Sequence, residues 1–115
     1  MSYMLLIVEP RGQRTTRSAP QGRAVYQRML EYTATLRKRG VLLASDALKS
    51  ESVRLEQHDG RVQLTDGPFS ESKELIGGFI LIDCQTRAEA LSFAHECPAV
   101  QWATIEIREV GTCYE

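Results

Sequence analysis

Two stretches of this chain are apolar at successive positions rather than at alternating ones. Residues 3–8 read Tyr-Met-Leu-Leu-Ile-Val and residues 79–82 read Phe-Ile-Leu-Ile. Runs of that kind fit strands covered on both faces. A helical period lies between them, with Val25, Met29, Tyr32 and Leu36 on one side of a turn-by-turn repeat. Ser18-Ala19-Pro20-Gln21 opens that helix as a capping box with proline in the first turn. Arg37, Lys38 and Arg39 suit the negative end of its dipole, and Gly40 supplies a left-handed stop. Residues 9–22 are polar and read as a surface loop.

Residues 41–44 form a short apolar run, expected as the second strand, and 45–50 read as a turn carrying Asp46. Asp59-Gly60 between 53–58 and 61–65 is a strong hairpin signal, because a type I′ turn needs positive φ at both central residues. In that register Leu55 lies opposite Leu64 and Gln57 opposite Val62. Val53, Leu55, Val62 and Leu64 then share one face. Asp66-Gly67-Pro68 breaks the strand, 70–76 read as one short helical turn, and Gly77-Gly78 lead into the strand at 79–82.

Thr86-Arg87-Ala88-Glu89 is a second capping box, opening a helix that ends before Pro98. Leu91 and Ala94 are expected to pack inward, with Ala88 or Phe93 beside them. Residues 102–110 alternate, with Ala103, Ile105 and Ile107 on one face. The order β-α-β-hairpin-β-α-β predicts an α+β, ferredoxin-like antiparallel sheet with two helices on one face. Two helices cover one face only, while the central strands are apolar on both. The simplest cover for the other face is a second copy of the chain, so a homodimer is expected.

Composition changes little in this picture. The chain has 115 residues, enough for one domain spanning 1–115, with 43% hydrophobic and 25% charged residues. A net charge of −1 and a single tryptophan argue against nucleic-acid binding. The apolar run at 3–8 is far below the ~20 residues that span a bilayer and lacks the flanks of a signal peptide. A cytoplasmic location without membrane association is therefore expected. Cys84, Cys97 and Cys113 form no C-x-x-C pair, which fits small buried hydrophobes better than a disulfide or a metal site. No metal and no organic cofactor is expected.

Candidate chemistry is confined to carboxylates and arginines. Asp46, Asp66, Glu71 and Glu74, with Lys73 among them, could supply a general acid or base if burial shifts one of them. Turn chemistry competes for Asp66, whose side chain can fold its own turn, and Glu71 suits the start of the short helical turn. Arg11, Arg14, Arg17 and Arg23 could hold an anion, with a solvated loop as the bland reading. His58 beside the hairpin turn and His95 late in the second helix read as solvated side chains.

The segment Asp66-Gly67-Pro68-Phe69-Ser70-Glu71-Ser72-Lys73-Glu74, followed by Gly77-Gly78-Phe79, resembles the signature of the DGPF proteins, a branch of the YCII-related family. Tyr3-Met4-Leu5-Leu6-Ile7, Gly40-Val41-Leu42 and Glu106-Ile107-Arg108 extend the likeness along nearly the whole chain. The resemblance implies a dimeric α/β barrel of ferredoxin-like subunits. Family members suspected of being enzymes carry a His near the start of the first helix and an Asp close by. This chain has Pro20-Gln21-Gly22-Arg23-Ala24 at the first place and Cys97-Pro98 where the family has Asp-Pro.

Two functions follow as expectations. One is a small-molecule enzyme or ligand-binding protein with its pocket between the sheet and its dimer mate. Asp46 and Asp66 would be its acid/base groups, and Arg11, Arg23, Phe69 and Glu71 would contact the ligand. The alternative is a regulatory or interaction module, since DGPF relatives occur beside or fused to sigma factors.

Overall fold

The two runs that are apolar on both faces take the two central places of a four-stranded antiparallel sheet, where they can be covered from both sides. The structure, a computed structural model, describes residues 1–67, 69 and 72–114. Strand β1 (Ser2–Pro10) is flanked by β5 (Glu74–Asp83) and β6 (Thr104–Glu109), and β2 (Leu42–Ala47) adds to the outer side of β5. The order β2-β5-β1-β6 is the ferredoxin-like one, with the hairpin of β3 (Val53–His58) and β4 (Arg61–Asp66) forming a separate two-stranded sheet. Helices α1 (Ala19–Lys38) and α2 (Arg87–Glu96) pack on one face of the main sheet.

Tyr3, Leu5 and Ile7 of β1 are buried beneath those helices, where Tyr32 and Leu36 of α1 and Ala94 of α2 meet them. Met4, Leu6 and Val8 point to the other face and are half-buried. Both ends of α1 follow its local sequence. The Gln21 backbone N–H donates to Ser18 Oγ (3.3 Å) and the Ser18 N–H donates to Gln21 Oε1 (2.8 Å), closing the capping box. At the other end Gly40 has φ 77°, and the Val41 N–H donates to the Leu36 carbonyl in a Schellman motif. The Tyr32 hydroxyl donates to the Phe93 carbonyl, tying α1 to α2, and burial pushes its pKa well up.

Several expectations need correction. Asp46 lies in β2 rather than in a turn, because the edge strand continues through Ala47 by pairing with β5, and an edge tolerates polar residues on its open side. Residues 74–76 are strand and not helical turn, since the end of β1 offers them partners: Pro10 faces Glu74, Glu9 faces Leu75 and Val8 faces Ile76. Ser70 and Glu71 of the expected turn lie outside the described residues. Gly77 is the extra residue of a bulge where the register shifts between Ile7 and Val8. In α2, Ala90 is buried with Ala94, Leu91 is half-buried and Ala88 is exposed, because the close approach to the sheet selects the smallest side chains.

The hairpin has the expected register, with Leu55 opposite Leu64, Gln57 opposite Val62, and φ of 51° and 78° at Asp59 and Gly60. Its apolar face is nonetheless uncovered. Leu55 is 68% exposed and Val62 70%. The chain is correspondingly flat, 48 × 42 × 18 Å, with a radius of gyration of 16.1 Å, against ~13 Å for a compact chain of this length.

Candidate functional site

Continuing the alternation of β1 past Tyr3, Leu5 and Ile7 brings Glu9 to the helix side of the sheet. The expected surface loop therefore starts later, and Glu9 is 5% exposed. A carboxylate in that position is costly unless it is paired. Its partner is Arg14, whose Nε lies 2.7 Å from Glu9 Oε1. Arg14 comes from the 3-10 turn Gln13–Thr16 that follows β1. Both terminal nitrogens also serve main chain: Nη1 donates to the Leu48 carbonyl (2.7 Å) and Nη2 to the Gly77 carbonyl (3.1 Å). The guanidinium thereby joins the end of β1, the end of β2 and the bulge of β5.

The ion pair is close but poorly aligned. Glu9 Oε1 is inaccessible to water and accepts no directed hydrogen bond, so the contact is coulombic rather than a true N–H···O bond. Gly77 makes the approach possible. A Cβ there would stand 2.5 Å from Glu9 Oε1 and 2.8 Å from Arg14 Nη2.

Glu9 closes one end of a cavity of about 340 Å³ between α1 and the sheet. Its walls are mainly apolar, with Ile7 and Ile80 from the sheet, Val25, Met29 and Leu30 from α1, and Trp102. That size and lining fall within the usual range of ligand pockets, ~300–1,000 Å³. Trp102 is fixed from two sides. Gln13 Nε2 donates to its carbonyl (2.7 Å), and the Arg28 guanidinium lies 5.1 Å from its ring centre. Arg17 also lines the cavity and donates to Gln13 Oε1 (3.2 Å), with no carboxylate partner among the described residues. Thr33 is buried there too, but its hydroxyl donates back to the Met29 and Leu30 carbonyls.

The residues singled out from the sequence are spread over different places. Asp46 borders this cavity from β2, yet it pairs with Phe79 and so shares the face of Leu6, opposite to Ser45, Ile80 and Leu5. Asp66 and Arg11 border a separate depression together with Ser52 and Gly67. Arg11 is occupied there by main chain, its Nε donating to the Ser72 carbonyl (2.9 Å). Arg23 is exposed on α1 and lines neither cavity. Phe69 is buried beneath the Arg54 guanidinium, 3.6 Å from its ring centre, and Glu71 lies outside the described residues.

Glu9 and Trp102 did not figure among the expected site residues, and Arg14 and Arg17 entered among the loop arginines that could hold an anion. The phase of the first strand was the available signal for Glu9.

His58 Nε2 lies 3.2 Å from Glu56 Oε2 on the exposed hairpin, and His95 is exposed. No group of three or more His, Cys, Asp or Glu placed to hold a metal ion occurs among the described residues. Cys84 and Cys97 are buried, with their thiol pKa values raised chiefly by desolvation, and Cys113 is exposed. No helix among the described residues is long and apolar enough to cross a membrane.

Comparison with known proteins places the whole chain. The family described as YCII-related domain matches residues 1–112. An uncharacterized protein of Rhizobium meliloti (strain 1021) is 48% identical over 42 residues, which is 36% of this chain and 34% of that protein. The chain thus aligns with about a third of that curated relative. Among solved structures, 5-chloro-2-hydroxyhydroquinone dehydrochlorinase from Burkholderia phenoliruptrix AC1100, in complex with 2,5-dihydroxybenzoquinone, superposes with a TM-score of 0.57. That likeness covers 96% of this chain and 94% of the other at 15% identity, so it shows a shared fold.

Proposed function

The chain belongs to the YCII-related domain family, and from that membership we propose that it binds and turns over a small organic molecule in the cavity between α1 and the sheet. The observation that carries this reading is Glu9, a carboxylate 5% exposed, lining an apolar cavity with one oxygen unserved by any hydrogen bond. Buried polar groups are nearly always satisfied, and an exception calls for an explanation such as a catalytic or binding role. The Glu9 carboxylate can accept a hydrogen bond from a ligand hydroxyl or N–H that reaches it. The dehydrochlorinase of the same fold holds a one-ring molecule, which supports a cavity of this architecture taking a ligand of that size. Asp46 and Asp66 remain proposals of a second rank, Asp46 with its side chain on the open face of the sheet, away from this cavity, and Asp66 in the neighbouring depression.

Filling the cavity tests the reading. In a thermal-shift screen of small organic compounds, those that raise the melting temperature of the wild type are expected to lose their effect on Val25→Phe. Hits that stabilise both proteins equally would contradict the assignment of the site.

A second reading concerns partners. Phe79, Leu81 and Ile76 extend the apolar patch of Met4, Leu6 and Val8 across the face that no helix covers, and the hairpin adds an exposed apolar face of its own. Apolar surface on that scale marks an interaction site. We propose that a second copy of the chain covers the open sheet face, giving a homodimer. Sedimentation equilibrium at micromolar concentration is expected to return twice the chain mass, and Leu6→Asp to return the single mass. A monomeric wild type would contradict it.

A further inference from the structure

We propose that the ligand of the Glu9 cavity is a small organic anion on an apolar body, carrying one hydroxyl or N–H donor. This rests on the reading of the cavity as a ligand site and specifies the chemistry it selects. Three observations define the class. The walls offer dispersion and hydrophobic contact from Val25, Met29, Ile80 and Trp102, which calls for an apolar body of about one ring.

The inner end offers an acceptor. Glu9 is more than nine-tenths buried, its Oε1 accepts no directed hydrogen bond, and both terminal nitrogens of Arg14 already donate to main chain, at the Leu48 and Gly77 carbonyls. A ligand carboxylate placed against Glu9 would be repelled, whereas a hydroxyl or N–H supplies what the site lacks.

The third observation is charge. Glu9 and Arg14 neutralise each other, and the Asp46 carboxylate is directed to the opposite face of the sheet. Arg17 then leaves one uncompensated positive charge along the wall, held in place by Gln13, which also holds the Trp102 carbonyl. An anionic group belongs there. Acceptor within and cation beside it together orient the ligand, donor end toward Glu9 and anionic end toward Arg17. A site built to receive a donor also rejects analogues that lack it, since the buried carboxylate is otherwise left unpaired.

The test uses benzoate, phenol, 3-hydroxybenzoate and 4-hydroxybenzoate as probes, titrated into ¹⁵N-labelled protein. The single tryptophan of the chain lines the cavity, so its indole N–H resonance reports occupancy. At least one hydroxybenzoate is expected to bind about tenfold or more tightly than both benzoate and phenol. Arg17→Ala is expected to reduce that affinity to the level of phenol while leaving phenol binding unchanged. Glu9→Gln, checked for folding by its spectral dispersion, is expected to erase most of the preference over benzoate. Equal indole shifts with all four probes would overturn the ligand class and leave the cavity as a site. No shift with any probe also overturns the class. If the compound screen likewise yields no hit sensitive to Val25→Phe, the cavity reading falls with it.

Discussion

Arg14→Met is expected to destabilise the protein by about 2–4 kcal/mol, because it strands the Glu9 carboxylate in the interior without a cation. The upper range of ~3–5 kcal/mol belongs to pairs buried on both sides. Here the Glu9 side chain is 6% exposed but that of Arg14 is 36%, so solvent already shields one partner. The loss extends beyond the pair, since Arg14 also serves the Leu48 and Gly77 carbonyls. A net hydrogen bond to a charged donor contributes ~1.5–3 kcal/mol, discounted again for exposure. The double variant Glu9→Leu/Arg14→Met should regain much of the stability, because removing both charges also removes the desolvation penalty. Urea unfolding of the wild type and these two variants checks this. A single variant as stable as the wild type would mean that Glu9 is not held as described.

Gly77→Ala is expected to cost about 1–3 kcal/mol and to empty the site of its function. The backbone of Gly77 needs no left-handed conformation. What forbids a side chain is space, since the new methyl would overlap the Glu9 carboxyl at 2.5 Å and the Arg14 fork at 2.8 Å. Glu9 must then swing away, which breaks its contact with Arg14 and narrows the cavity it lines. The effect should depend on Glu9 itself. In a Glu9→Ala background the same substitution should cost much less, with a coupling of ~0.5–3 kcal/mol between the two positions. Equal costs in both backgrounds, measured by thermal melting, would show that the methyl clashes elsewhere.

How much of this was legible in the sequence varies with the range of the forces involved. The hairpin, both helix starts and the Gly40 stop were readable because their determinants lie within a few residues of one another. The two-sided apolar runs gave the central strands, and with them the sheet order and the uncovered face. The ends of strands were less readable, since β1 and β5 extend each other: Glu9, Pro10 and Glu74 carry little strand preference and are strand because they pair. That same extension hid the site. Glu9 follows an apolar run and precedes Pro10 and Arg11, which resembles the start of a loop, and only the register places its side chain under α1. Arg14 could not be matched to it, because their encounter depends on the bulge at Gly77. The segment 66–74 carried the family resemblance, yet Asp66 and Gly67 line the neighbouring depression, Phe69 contacts Arg54 of the hairpin, and none of its described residues lines the Glu9 cavity.

The most direct measurement is a crystal structure of the wild type grown with the strongest-binding compound from the screen. Density for the compound is expected between α1 and the sheet, with a donor atom within ~3.2 Å of a Glu9 carboxylate oxygen and its body against Met29 and Trp102. A compound seated on the open sheet face or the hairpin, with the Glu9 cavity unoccupied, would contradict it.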